Sequence, residues 1–174
     1  MRSLLFRLAL MLFAATSVAA QSAHWRQYTN AAGDFSVLLA GEPRLSTDVQ
    51  GTKTIHTVQS LVDSLGYSVM YIKQERDQVV DDASYRAFKD FFMKGNARCS
   101  VFSEQSAAPA LPGYIGRLYR LHCDEFNTNM TLFGNLHWGK HYSYAMMGMF
   151  KTASSDPPEI KKFVDSFSLI DPTK

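Results

Sequence analysis

Two cysteines constrain this chain more than any other feature. Cys99 opens the run Cys99-Ser-Val-Phe-Ser-Glu-Gln105, and Cys123 closes Tyr114-Ile-Gly-Arg-Leu-Tyr-Arg-Leu-His-Cys123. Both runs are strand-like, and Ser106-Ala-Ala-Pro-Ala-Leu-Pro-Gly113 between them is a loop by composition. Folded as a hairpin, one register sets Cys99 opposite Cys123 and Val101 opposite Leu121. Directly opposed strand residues lie within the reach of a disulfide. In the chain-entropy picture such a link stabilises the fold by about 3–4 kcal/mol. Cys-x-x-Cys spacing is absent, which argues against a redox centre.

A disulfide needs an oxidising compartment, and the N-terminus offers the route to one. Arg2 and Arg7 precede the apolar run Leu8–Ala15, and the small residues Ser17-Val18-Ala19-Ala20 follow. This is the pattern of a secretory signal peptide with cleavage after Ala20. The apolar run is shorter than the roughly 20 residues of a membrane-spanning helix. The expected mature chain, residues 21–174, is then a single domain in the periplasm or outside a bacterial cell, with no membrane span.

Cleavage also changes the charge. The chain carries 18 basic and 16 acidic residues, and the signal takes away the two arginines that make the difference. A balanced mature chain lacks the basic footprint of a nucleic-acid binder.

The periodicities give strands near 25–28, 35–39, 54–62, 67–72, 99–105, 114–123, 129–138 and 141–150. A first helix is expected from Asp82, with Tyr85, Phe88 and Phe92 on one face and a stop at Gly95-Asn96. A second is expected after Asp156, which is placed to cap it together with Glu159; Pro157 would take the first helical position, and Ile160, Phe163, Val164 and Phe167 form its apolar stripe. Strands, helix, strands, helix is the order of an α+β fold, an antiparallel sheet with helices packed on it.

Asp34-Phe-Ser-Val-Leu-Leu39 with Gly41-Glu-Pro43, Tyr67-Ser-Val-Met-Tyr71, Gly139-Lys-His-Tyr142 and Phe163-Val-Asp-Ser-Phe-Ser-Leu169 together resemble the PsbP-like superfamily. That resemblance spans most of the mature chain. It implies an αβα sandwich around an antiparallel sheet, and exported proteins that range from photosystem assembly factors to secreted proteins of no known activity. It carries over no metal-site residue.

No motif of catalysis is present: neither a P-loop, nor G-x-G-x-x-G, nor H-E-x-x-H occurs. The candidate metal ligands are His137 and His141, which flank Trp138-Gly139-Lys140. If the turn has three residues, the two imidazoles face each other. If Gly139-Lys140 is a two-residue turn, Trp138 opposes His141 and the imidazoles point to opposite faces. Two ligands without a third make a weak site, so no cofactor is assigned. Trp138, a large aromatic at a hairpin tip, is the candidate interaction anchor. Met146, Met147 and Met149 with Tyr114, Tyr119, Tyr142 and Tyr144 form either a core or an adaptable groove. These features predict an exported, non-catalytic binding or accessory module whose partner is a protein or envelope component, the alternative being a small-molecule or metal binder.

Overall fold

The structure is a computed structural model that describes residues 24–30, 34–107, 110–125, 128–152 and 155–170. The expected signal peptide and its cleavage site lie outside these residues.

Among the described residues, ten strands and two helices follow one another as β1 (Trp25–Thr29), β2 (Phe35–Ala40), β3 (Arg44–Gln50), β4 (Lys53–Val62), β5 (Leu65–Lys73), α1 (Asp82–Gly95), β6 (Cys99–Ser106), β7 (Tyr114–Glu125), β8 (Thr128–Gly139), β9 (Tyr142–Lys151), α2 (Pro158–Asp165) and β10 (Ser168–Leu169). They form two antiparallel sheets. The larger has the order β3-β4-β5-β9-β8-β7-β6, the smaller β1-β2-β10.

This arrangement corrects the expected αβα sandwich. Among the described residues 58 % are strand and 16 % helix, too little helix to cover both faces of a seven-stranded sheet. The first face is covered by the three-stranded sheet together with α2. Phe35, Val37 and Leu39 of β2 and Ile160, Phe163 and Val164 of α2 pack there on Val58, Tyr67, Val69, Tyr144, Met146 and Phe150. The second face is covered by α1, whose Tyr85, Phe88 and Phe92 meet Ile55, Ile72, Tyr119, Leu121, Leu136, Trp138 and Met147. The physical reason lies in β2, which is apolar on both parities and buried along nearly its whole length. Such a strand needs hydrogen-bonded neighbours as well as a core. β1 and the short β10 supply them.

Alternation along each central strand serves the two cores at once. In β9, Tyr144, Met146 and Phe150 enter the first, Ala145 and Met147 the second, so both faces of this strand are buried. The Met-rich run is therefore core.

The disulfide forms between the expected cysteines. Cys99 pairs with Cys123 and Val101 with Leu121, after which a bulge between Val101 and Ser103 shifts the register. α1 also begins and ends where its sequence signals stand: Asp81 accepts from the Ser84 amide at 2.8 Å, and Asn96 closes the last turn. α2 departs from its expected cap. Its N-cap is Pro157, with no side-chain bond, because the Asp156 carboxylate is taken by the Arg120 guanidinium of β7. A charge-assisted pair at a half-buried position outcompetes a neutral amide donor.

Candidate functional site

The pleat places one side chain per strand in a row across the first face of the large sheet. Thr47 pairs with His56, His56 with Tyr71, Tyr71 with Tyr144, Tyr144 with His137 and His137 with Gly116. Two histidines and two tyrosines thus line up across four strands, between a threonine and a glycine on the strands to either side. Side-chain contacts follow the register. The Thr47 hydroxyl lies 3.1 Å from His56 Nδ1, and the His56 and Tyr71 rings stack with centroids 4.8 Å apart. Phe35 meets Tyr71 and Tyr144 edge-on at 5.5 and 5.7 Å, while Phe167 stacks on His137 at 6.2 Å.

The row has a closed end and an open end. At the closed end His137 is 2 % exposed and its Nδ1 has no hydrogen-bond partner. Gly116 makes room for it: a Cβ there would stand 2.6 Å from His137 Nδ1. Burial pulls the His137 pKa down to about 4, so the imidazole is neutral near pH 7. Burial likewise pushes the Tyr144 hydroxyl well above the usual phenol range, reinforced by Tyr114 and by the hydrogen bond between the two phenols.

At the open end the rings reach solvent. His56, Tyr71, Tyr142 and Tyr28 are half-buried, and Lys73 is exposed, its ammonium 5.9 Å from the Tyr142 ring centroid. Tyr142 lies beside Asp34; burial first, then the influence of the Asp34 carboxylate, push its pKa up to about 12. One oxygen of that carboxylate, Oδ2, is buried without a hydrogen-bond partner. Burial and the neighbouring Tyr71 raise Tyr28 as well. The surface is therefore a set of amphipathic rings between one carboxylate and one ammonium. It offers stacking faces, phenol donors and two opposite charges, and the raised Tyr28 and Tyr142 phenols stay protonated at neutral pH.

The residues singled out in the sequence lie elsewhere in this frame. The β8–β9 register pairs Trp138 with Ser143 and His137 with Tyr144, which leaves Lys140 and His141 at the tip, a register different from both of those weighed. His137 points into the first core. His141 is exposed, 3.1 Å from Asp77. The structure does not bring them together, and no group of three or more His, Cys, Asp or Glu side chains able to hold a metal occurs among the described residues.

Trp138 is not an accessible tip. It is 6 % exposed, its indole donates to the Val79 carbonyl at 2.9 Å and its ring lies 5.6 Å from Phe88. The segment before α1 holds the hairpin down, through Gln74 and Gln78 amides bonded to the His141 and Lys140 carbonyls. Burial of both indole and Phe88 inside the second core explains the tryptophan without a partner.

Among the other tyrosines, Tyr119 belongs to the second core, where Tyr85 donates to its hydroxyl at 3.0 Å. Tyr114 covers Gly139, where a Cβ would stand 2.2 Å from its ring. An open depression of about 500 Å³ lies against the disulfide, lined by Arg98, Cys99, His122, Asp124 and Thr152 among others. It sits at the opposite end of β7 and β8 from the ring row.

Sequence reasoning missed the row because its members are scattered over residues 47 to 144 with no motif between them. Only strand register collects them. The signal that existed was the parity of Tyr71, Tyr144 and His137 within their own strands. Comparison with models of known protein families, with curated proteins and with solved structures finds no match.

Proposed function

We propose that this protein is an exported, non-catalytic binding module that engages a protein of the cell envelope through the open end of the ring row. The observation that carries the reading is the half-exposed set Tyr28, His56, Tyr71 and Tyr142, framed by Asp34 and Lys73. Tyrosine is the residue type that combines large contact area with a polar tip at little entropic cost. The disulfide is compatible with an oxidising compartment, and among the described residues no helix is long and apolar enough to cross a membrane. The resemblance to PsbP-like proteins supports an accessory role in a larger assembly.

Photo-cross-linking in living cells tests this. A photoreactive aromatic residue at Tyr71 or Tyr142 is expected to trap a discrete envelope protein, and the same residue at exposed Lys161 of α2 is not. Equal yields at all three positions, or none at any, would remove the reading.

A second reading is favoured by one atom, the buried and unpartnered Oδ2 of Asp34 beside Tyr142. A carboxylate among aromatic faces suits a small organic cation. Millimolar choline should then raise the melting temperature of the protein and leave that of Asp34→Asn unchanged.

A further inference from the structure

β3 is an edge strand of the seven-stranded sheet, and it is built to accept another strand. Its seven residues pair with β4 in one unbroken register, Arg44 with Gln59 through Gln50 with Lys53. Gln50 and Lys53 flank the two-residue turn Gly51-Thr52, with Gly51 at φ +62°. In a hairpin of this length the flanking pair exchanges both hydrogen bonds, and bonding then alternates outward. Gln50, Asp48, Ser46 and Arg44 therefore bond to β4. The amides and carbonyls of Leu45, Thr47 and Val49 point away from the sheet. Only the Val49 amide is occupied, by the Asp48 carboxylate at 3.0 Å.

The side chains of the same three residues share the first face, because they pair with Val58, His56 and Thr54, the parity that carries Val58 into the first core. The cover of that face stops short of them. Leu45 is 68 % and Val49 66 % exposed.

We infer that β3 is a self-pairing edge through which two copies of this chain form an antiparallel, two-fold symmetric dimer. The argument is the symmetry of Arg44-Leu-Ser-Thr-Asp-Val-Gln50 about its centre. Antiparallel pairing about Thr47 sets Thr47 against Thr47 of the second copy, Leu45 against its Val49 and Val49 against its Leu45. Ser46 then meets Asp48, and Arg44 meets Gln50. Each apolar side chain meets an apolar one, and every outward-pointing backbone group meets an outward-pointing group. Face and hydrogen-bond phase agree in one register, which is the requirement of an isologous strand pair. A shift by one residue breaks both. Asp48 guards the edge in the single chain: its carboxylate holds the Val49 amide and lets go when the second strand arrives.

The pairing has a consequence for the surface described above. The two-fold axis stands perpendicular to the sheet, so both copies present the first face on the same side. The ring rows join end to end as Tyr71, His56, Thr47 and then Thr47, His56, Tyr71 of the second copy.

Sedimentation equilibrium of the mature chain between about 1 μM and about 1 mM tests the inference, with far-UV circular dichroism to check folding of each variant. Wild type is expected to show a reversible monomer–dimer equilibrium. Thr47→Pro removes the central donors while leaving the β4 ladder intact, since the Thr47 amide points outward, and should raise the dissociation constant about tenfold or more. Leu45→Lys/Val49→Lys opposes lysine to lysine and should abolish the dimer, whereas Val101→Lys on the other edge should leave it unchanged. Thr47→Cys should cross-link to its own copy under mild oxidation, because a directly opposed pair suits a disulfide. A wild type that stays monomeric through the range, or a dimer that ignores both Thr47→Pro and the double lysine variant, overturns the inference. Neither result bears on cross-linking at Tyr71 and Tyr142, so the two readings fail separately.

Discussion

The two edges of the large sheet are opposites. β6 is stapled to β7 by the disulfide, broken by a bulge after Val101 and tied to α1 through Lys89 and Glu104 at 3.0 Å. Its exposed Phe102 lies stacked on His122 at 4.6 Å. β3 is straight in register, carries no staple, and exposes Leu45 and Val49 on one face. Bulges and a helix tied against the strand are among the devices by which proteins keep an edge from pairing. The edge with those devices is closed for stability; the edge without them is left for recognition. The ring row runs between them, buried towards β7 and open towards β3.

The largest effect should come from the closed side. Cys99→Ser/Cys123→Ser is expected to lose about 3–4 kcal/mol in urea unfolding, since the bond closes a loop with a separation of 24 residues. A loss below about 1 kcal/mol would mean that the staple contributes little and that the contrast between the edges is shallower than described.

Next comes pH. His137 has its pKa lowered to about 4 by burial, against 6.5 for the free group. The unfolded chain thus binds the proton first as pH falls, and stability is lost between pH 6.5 and 4, levelling below. The window corresponds to about 3 kcal/mol. His137→Phe, which keeps a ring against Phe167, should flatten this part of the stability profile; an unchanged slope would assign it to other groups.

Smaller still, Gly116→Ala should cost about 1–3 kcal/mol, because its methyl group would press on His137. Tyr85→Phe removes one buried hydroxyl bond to Tyr119 and should cost about 1 kcal/mol. On the open side Leu45→Ser or Val49→Ser should change the stability of the single chain by less than about 0.5 kcal/mol. A cost of 2 kcal/mol or more there, on the order of a core truncation, would show that these side chains are packed rather than offered.

The closed side was also the legible one. Cys99 and Cys123 fix a register by covalent reach, and one pairing suffices to align β6 with β7. α1 declares itself through three aromatics at helical spacing, an aspartate before them and Gly95-Asn96 after. β3 went unread because its alternation rests on only two apolar residues, Leu45 and Val49, in an otherwise polar stretch that resembles a loop. The pattern of a strand depends on a buried face, and this strand has none. β10 is two residues long and takes its identity from β2. The cap of α2 was misjudged because Arg120, 36 residues away, competes for Asp156. The helix-flanked sandwich failed for a related reason: a strand as apolar as β2 marks burial, but its membership of a second sheet depends on partners distant in sequence. The site followed suit, since a row drawn from six positions on six strands exists only once all their registers are known.

Amide hydrogen exchange along residues 44–50, followed at increasing protein concentration, tests the open edge most directly. In dilute protein the Leu45 and Thr47 amides should exchange quickly while those of Ser46 and Asp48, bonded to β4, are protected. Raising the concentration should slow Leu45 and Thr47 and leave the β6 amides unchanged. Leu45 and Thr47 amides that are slow in dilute solution, or fast at every concentration, would contradict a β3 that is both free and ready to pair.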